Sequence, residues 1–160
     1  MNFKRTLAKI AVVFSVFASG VTVANVANNN NQEAQAASVT SKRNAVAKLA
    51  NKQVGKKYVY GATGPYSFDC SGLTQYVYKK AAKKDISRTT YTQVKKGKRV
   101  SLKHLKKGDL LFWGGVTSPY HVGVYVGGGK YVHAATPSQG VRKQAISMYF
   151  YPSAAKRVLN

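Results

Sequence analysis

Apolar residues repeat at helical spacing in the first half of the chain and predict two helices. In residues 42–53 they lie on one helical face, with Ser41 as the N-cap and Gly55 ending the helix. A second helix is predicted over residues 69–82, where the apolar face repeats in the same way. Residues 58–66 contain two glycines and a proline, which predict a loop between these helices.

The apolar pattern changes to that of β-strands in the second half of the chain. Residues 109–113 are a candidate buried strand, residues 121–126 alternate apolar and small or polar side chains, and residues 130–135 predict another strand. We expect one or two further strands within residues 139–160. Residues 83–108 read as a long connection with one short helix. Helices followed by an antiparallel sheet predict a single α+β domain.

The turn between the last two named strands decides where two histidines point. Gly127-Gly128-Gly129 is a strong hairpin signal. A plain two-residue turn would put His121 and His133 on opposite faces of the sheet, because side chains alternate along a strand. A loop with an odd number of residues, or a β-bulge near residues 127–130, would put both histidines on one face.

The only cysteine in the chain, Cys70, stands where the second helix is predicted to begin. A helix N-terminus favours the thiolate, a histidine can accept the thiol proton, and another polar group can orient that histidine. Cys70, His121 and His133 are therefore candidate catalytic residues. The alternatives are a buried packing cysteine and histidines held by ordinary strand hydrogen bonds. No metal-ligand spacing is present, and we expect neither a metal nor a cofactor.

The N-terminal residues have the features of a secretory signal. A basic start is followed by the short apolar run 10–24 and by the small-residue site Ala34-Gln35-Ala36. We therefore predict a signal peptide over residues 1–36, a short disordered leader over residues 37–41 and one domain over residues 42–160. A membrane anchor is the alternative, but the apolar run falls short of the roughly 20 residues that a spanning helix needs.

The chain is strongly basic, with 26 Lys and Arg against 4 Asp and Glu, a net charge of +22. Most of this excess remains without residues 1–36, where the basic residues are Lys4, Arg5 and Lys9. Such a charge favours polyanionic partners, and for an exported protein we predict anionic cell-wall polymers. The lysines do not form one recognition helix, so no specific nucleic-acid partner is predicted. We expect a monomer.

Several segments in order along residues 42–148 resemble the NlpC/P60 family of cell-wall cysteine peptidases. The segments that carry the resemblance are Tyr58-Val59-Tyr60-Gly61, Asp69-Cys70-Ser71-Gly72-Leu73, Arg88-Thr89-Thr90-Tyr91, Lys107-Gly108-Asp109-Leu110-Leu111-Phe112, His121-Val122-Gly123-Val124-Tyr125 and Tyr131-Val132-His133-Ala134. Tyr60 and Ala62 depart from the family, many members of which have tryptophan and glycine there. We expect this departure to affect the rim of the substrate groove.

The resemblance implies a papain-like fold and hydrolysis of peptidoglycan stem peptides, typically after D-glutamate. It also implies that His133 orients His121, that the Cys70 N–H and the Tyr58 hydroxyl support the oxyanion, and that Asp69 and Ser71 bind the amino end of the stem peptide. An N-cap is the alternative role for Asp69. Two other functions remain open: an N-acetylmuramoyl-L-alanine amidase of similar fold, and a non-catalytic cationic wall-binding protein.

Overall fold

The computed structural model describes residues 23–160, and its first helix is much longer than predicted. Helix α1 spans Val23–Asn51, so Ser41 lies inside it and is not an N-cap, and the expectation of a disordered leader over residues 37–41 is wrong. No glycine or proline occurs between Gly20 and Gly55 to end the helix. Residues 1–22, most of the predicted signal peptide, lie outside the described residues, and the signal peptide remains a prediction.

The C-terminal part of α1 packs into the core. The side chains of residues 31–38 are exposed, whereas Val46, Ala47 and Ala50 are buried. The chain divides into two units, with the second comprising Gln35–Asn160. This second unit contains all the elements that position the candidate site.

The second helix, α2, begins and ends close to the predicted residues, at Cys70–Ala82. Asp69 is its N-cap, in extended conformation, and its carboxylate accepts a hydrogen bond from the Gly72 N–H at 2.6 Å. At the other end Lys83 adopts a left-handed conformation with φ 54°, which closes the helix. A short helix, α3 (Thr90–Gln93), confirms the short helix predicted in the long connection.

The strands are β1 Lys57–Tyr58, β2 Ser67–Phe68, β3 Lys98–Arg99, β4 Leu110–Gly114, β5 Pro119–Gly127, β6 Lys130–Ala134, β7 Val141–Ala145 and β8 Ala154–Arg157. Six of them form an antiparallel sheet with the spatial order β3-β8-β4-β5-β6-β7. The three named strands and two further strands near the C-terminus are confirmed. The loop predicted over residues 58–66 is flanked by a short parallel pair, β1 and β2.

Apolar side chains cover both faces of the sheet. On one face, Phe112 and Val122 belong to the main core with Leu73 of α2. On the other face, Trp113 and Tyr131 belong to a second cluster, which loop residues cover. Because both faces are buried, strand β4 reads as an unbroken apolar run.

A β-bulge in the β5–β6 hairpin gives the two histidines the same orientation. Val124 pairs with Val132, but Gly127 pairs with Lys130, so one extra residue lies in β5 between Tyr125 and Gly127. Gly128 and Gly129 form the turn with positive φ values of 61° and 68°, as a type I′ turn requires. The predicted bulge is confirmed, and His121 and His133 lie on one face of the sheet.

Candidate active site

Cys70 is the first residue of α2 and stands among backbone N–H groups. The N–H groups of Cys70, Ser71 and Val122 lie close enough to its sulfur to stabilise negative charge there. The start of the helix is held against the preceding loop, since the Asp69 N–H donates to the Ala62 carbonyl at 2.9 Å. A β-carbon on Gly72 would lie 2.1 Å from that carbonyl oxygen. Only glycine therefore fits at this position.

The two histidines form a hydrogen-bonded pair on the sheet. His121 Nε2 lies 2.8 Å from His133 Nδ1, and His133 Nε2 lies 3.3 Å from Gln144 Oε1. Both imidazoles are buried, at 8% and 3% exposure. The Trp113 ring packs beside them, with centroid separations of 5.4 Å and 6.4 Å. Packing and hydrogen bonds together hold both rings in one orientation.

Cys70 and both histidines line the same cavity, which has a volume of about 750 Å³. A second cavity of about 450 Å³ is also lined by Cys70, together with Asp69, Ser71 and Arg88. Tyr58 and Tyr120 line both cavities as well. Cys70 therefore borders open space on two sides. The structure thus brings together all six site residues named from the sequence.

Burial sets the protonation states at this site. Burial, with the charge of Asp69, raises the pKa of the Cys70 thiol, and the surrounding N–H groups only partly offset this. Burial lowers the pKa of His121 to about 3, with a further contribution from His133, and lowers that of His133 to about 4. The resting site therefore holds a neutral thiol and neutral imidazoles at neutral pH. The helix N-terminus acts in the expected direction, but burial outweighs it.

Asp69 is held by more partners than an N-cap alone provides. Arg88 forms a salt bridge with Asp69 and donates from Nη1 to Asp69 Oδ1 at 3.1 Å and to Ser71 Oγ at 2.8 Å. The Gly61 N–H donates to Asp69 Oδ2 at 2.9 Å. Burial alone would raise the pKa of Asp69, but the hydrogen bonds from Arg88 and Gly72 hold it below its usual value.

Sequence reasoning missed Arg88 and Gln144. Arg88 lies in one of the segments that carry the family resemblance, so a signal for it existed. Gln144 occupies an ordinary polar position of strand β7, and nothing in its local sequence distinguishes it. Tyr58 lies as predicted beside the thiol, and burial, together with the charges of Cys70 and Asp69, raises the pKa of its phenol. The phenol therefore keeps its proton and can donate.

Across residues 23–160, no cluster of three or more His, Cys, Asp or Glu side chains could hold a metal ion. Over the same described range, no helix combines the length and apolar character needed to cross a membrane.

The fold and the site define a papain-like α+β domain that carries a cysteine at a helix start beside paired histidines. Residues 55–159 match the NlpC/P60 family model, and the chain belongs to that family. Protein P54 of Enterococcus faecium is 41% identical over 105 residues, which make up 66% of this chain and 20% of that protein. A "Probable endopeptidase" of Corynebacterium glutamicum is 38% identical over 125 residues, 78% of this chain and 57% of that relative.

One solved structure is similar to this chain in both sequence and fold. The NlpC/p60 domain of the peptidoglycan hydrolase SagA is 40% identical, with a TM-score of 0.67. The alignment covers 71% of this chain and 96% of that domain. By contrast, the matched region spans only 20% and 57% of the two curated relatives. The chain therefore matches only one region of each of these longer relatives.

Proposed function

We propose that this protein is a secreted peptidoglycan hydrolase that cleaves stem peptides with a cysteine nucleophile, between D-glutamate and the diamino acid. One observation carries the proposal: Cys70 at a helix start shares its cavity with the hydrogen-bonded pair His121 and His133. Membership of the NlpC/P60 family supports it. The names "Probable endopeptidase" and "peptidoglycan hydrolase" of two relatives support the reaction class.

The chemistry follows from the protonation states of the resting site. His121 is neutral at neutral pH and can accept the thiol proton as the sulfur attacks the carbonyl carbon. The Cys70 N–H and the Tyr58 hydroxyl would stabilise the oxyanion. The protonated His121 then gives its proton to the departing amine, which leaves a thioester on Cys70. Water hydrolyses the thioester, the acid product leaves, and the thiol is restored.

On the other side of the sulfur, Asp69 and Ser71 would receive the amino end of the stem peptide. Both side chains line the cavity of about 450 Å³. Arg88 touches both of them, so the charge that reaches the substrate is that of the Asp69–Arg88 pair and not of a free carboxylate. Arg88 is thus part of the wall that the substrate would meet.

We propose the location and the partners of this protein from its sequence. The signal peptide over residues 1–36 would direct export, and the large excess of basic residues that remains without it would hold the protein near anionic wall polymers. We propose that it acts as a monomer and needs no cofactor.

Incubation of the purified protein with defined muropeptides, followed by mass spectrometry of the products, tests the reaction. We expect cleavage after D-glutamate by the wild-type protein and by His104→Gln, because His104 is exposed. We expect no cleavage by Cys70→Ala, with circular dichroism to verify that it folds. Release of whole stem peptides from sugar would instead identify an amidase.

A wall-pelleting assay in the same buffers separates catalysis from binding. Cys70→Ala should still pellet with purified cell walls, and added salt should release it, because attraction between exposed charges is screened by salt. Wall binding without any cleavage by the folded wild-type protein would favour the cationic wall-binding function and refute the proposed hydrolase.

A further inference from the structure

Gln144 extends the histidine pair into a chain of three polar side chains. On strand β7 it pairs with Tyr131 of β6, while Arg142 pairs with His133. Gln144 thus lies diagonally across from His133, on the same face of the sheet. Its Oε1 is 3.3 Å from His133 Nε2, and it also lines the cavity that contains Cys70. Gln144 therefore contacts His133, which in turn contacts His121.

Each neutral imidazole has one N–H group that donates and one bare nitrogen that accepts. Both histidines are neutral at neutral pH, because burial lowers the pKa of each. A carboxamide oxygen can only accept, so its contact with His133 requires the proton on His133 Nε2. His133 Nδ1 is then bare and accepts from the N–H at His121 Nε2. The remaining nitrogen of His121, Nδ1, is left without a proton.

We propose that Gln144 is a positioning residue that sets the tautomer of both histidines and so keeps Nδ1 of His121 free to accept the Cys70 proton. The opposite arrangement explains why the orientation of the amide matters. If the NH₂ group of Gln144 faced His133, both protons would move to the Nδ1 atoms. His121 would then have no nitrogen free to accept the thiol proton and could not act as its base.

Nitrogen NMR on the histidine-labelled protein tests the tautomers without any substrate. The chain has three histidines, and His104, which is exposed, serves as the internal reference. In the wild-type protein we expect His121 and His133 both to carry the proton on Nε2. In Gln144→Met, which lacks the acceptor, we expect both to become mixtures. Protons on Nδ1 in the wild-type protein, or unchanged tautomers in Gln144→Met, would overturn the proposal.

Gln139 provides a matched control. It is an exposed glutamine that lines the same cavity from the loop before β7. Gln139→Met removes the same functional group but not the contact with His133, so we expect the tautomers of the wild-type protein. A change of tautomers in this variant would mean that the cavity as a whole, and not Gln144, controls the pair.

Kinetics provide the second readout, which rests on the proposed function. We expect Gln144→Met to lower kcat about fivefold, the factor that one ordinary hydrogen bond corresponds to. Gln144→Glu keeps an acceptor and should restore kcat. The negative charge of this glutamate should also shift the acidic limb of the pH–rate profile to higher pH. The other titratable and charged groups around His133 stay the same: Arg142, whose charge opposes the shift, and Cys70, Tyr131 and His121.

The two readouts fail in distinguishable ways. If the protein hydrolyses nothing, the NMR experiment still decides whether Gln144 sets the tautomers. If Gln144→Glu lowers kcat as much as Gln144→Met and leaves the pH profile unmoved, Gln144 only supports the cavity wall. The positioning role would then be wrong even with the proposed hydrolase intact.

Discussion

The buried histidine pair should make the folded state sensitive to mild acid. Above pH 6.5 both histidines are neutral in the folded and the unfolded chain, so they add no pH dependence. Below that value the unfolded chain takes up protons, whereas the folded chain does not until about pH 4 for His133 and about pH 3 for His121. Because the unfolded state binds more protons in this range, stability falls as the pH falls from 6.5 towards 4.

The size of the effect follows from the width of that range. Between pH 7 and pH 5, each histidine that stays neutral in the fold lowers the free energy of unfolding by about 2 kcal/mol, and the pair by up to about 4 kcal/mol. Carboxylates add little here, because the chain has only 4 Asp and Glu. The pKa of Asp69 is also lowered, so its own contribution is lost at more acidic pH.

Urea denaturation at pH 7 and pH 5 measures this difference directly. We expect His133→Gln to lose about half of the pH dependence of the wild-type protein, because one titrating group is removed. His104→Gln is the matched control, since His104 is exposed, and it should keep the full dependence. Any general loss of stability in His133→Gln cancels when each variant is compared with itself at two pH values.

The repulsion among the many basic residues also acts at both pH values and is the same in all three proteins. It therefore cannot produce a difference between His133→Gln and the control. If both variants lost as much stability as the wild-type protein between pH 7 and pH 5, the neutral histidine pair would be refuted. The tautomer argument for Gln144 would then lose its premise.

Three further substitutions test how the site is held. Gly72→Ala should destabilise the fold by at least about 3 kcal/mol in urea, because its β-carbon would meet a backbone carbonyl that cannot move away. Arg157→Met should lower the free energy of unfolding by about 3 kcal/mol in the same measurement, because it leaves the buried Asp109 carboxylate without its salt bridge. The double variant Arg157→Met with Asp109→Asn should recover part of this loss. Arg88→Met should lower KM for stem peptides with a free amine relative to KM for N-acetylated stem peptides, because the charge of Asp69 is no longer neutralised. If the ratio of these two KM values stayed unchanged, Asp69 would lie outside the substrate site.

Local chemistry explains why much of the site could be predicted. The N-cap Asp69, the helix that starts at Cys70 and Gly72 act within one turn of backbone, and a single sequence segment therefore carries their signal. The contacts of Arg88 and Gln144 depend instead on how distant elements pack. Arg88 lies 19 residues along the chain from Asp69, and Gln144 lies 11 residues from His133. The raised pKa of the thiol has the same origin, because burial is set by tertiary packing.

Helix α1 and the β5–β6 hairpin show two different limits of reasoning from a sequence. Apolar spacing identified the part of α1 that packs, but an exposed helix needs no apolar face, so the exposed residues 31–38 of this helix left no pattern. In the hairpin, the pattern alone allowed either register. The requirement that His121 and His133 share a face predicted either an odd-numbered loop or a bulge, and the pairing of Gly127 with Lys130 shows the bulge. A chemical requirement on two side chains thus determined a backbone feature that hydrophobic periodicity left open.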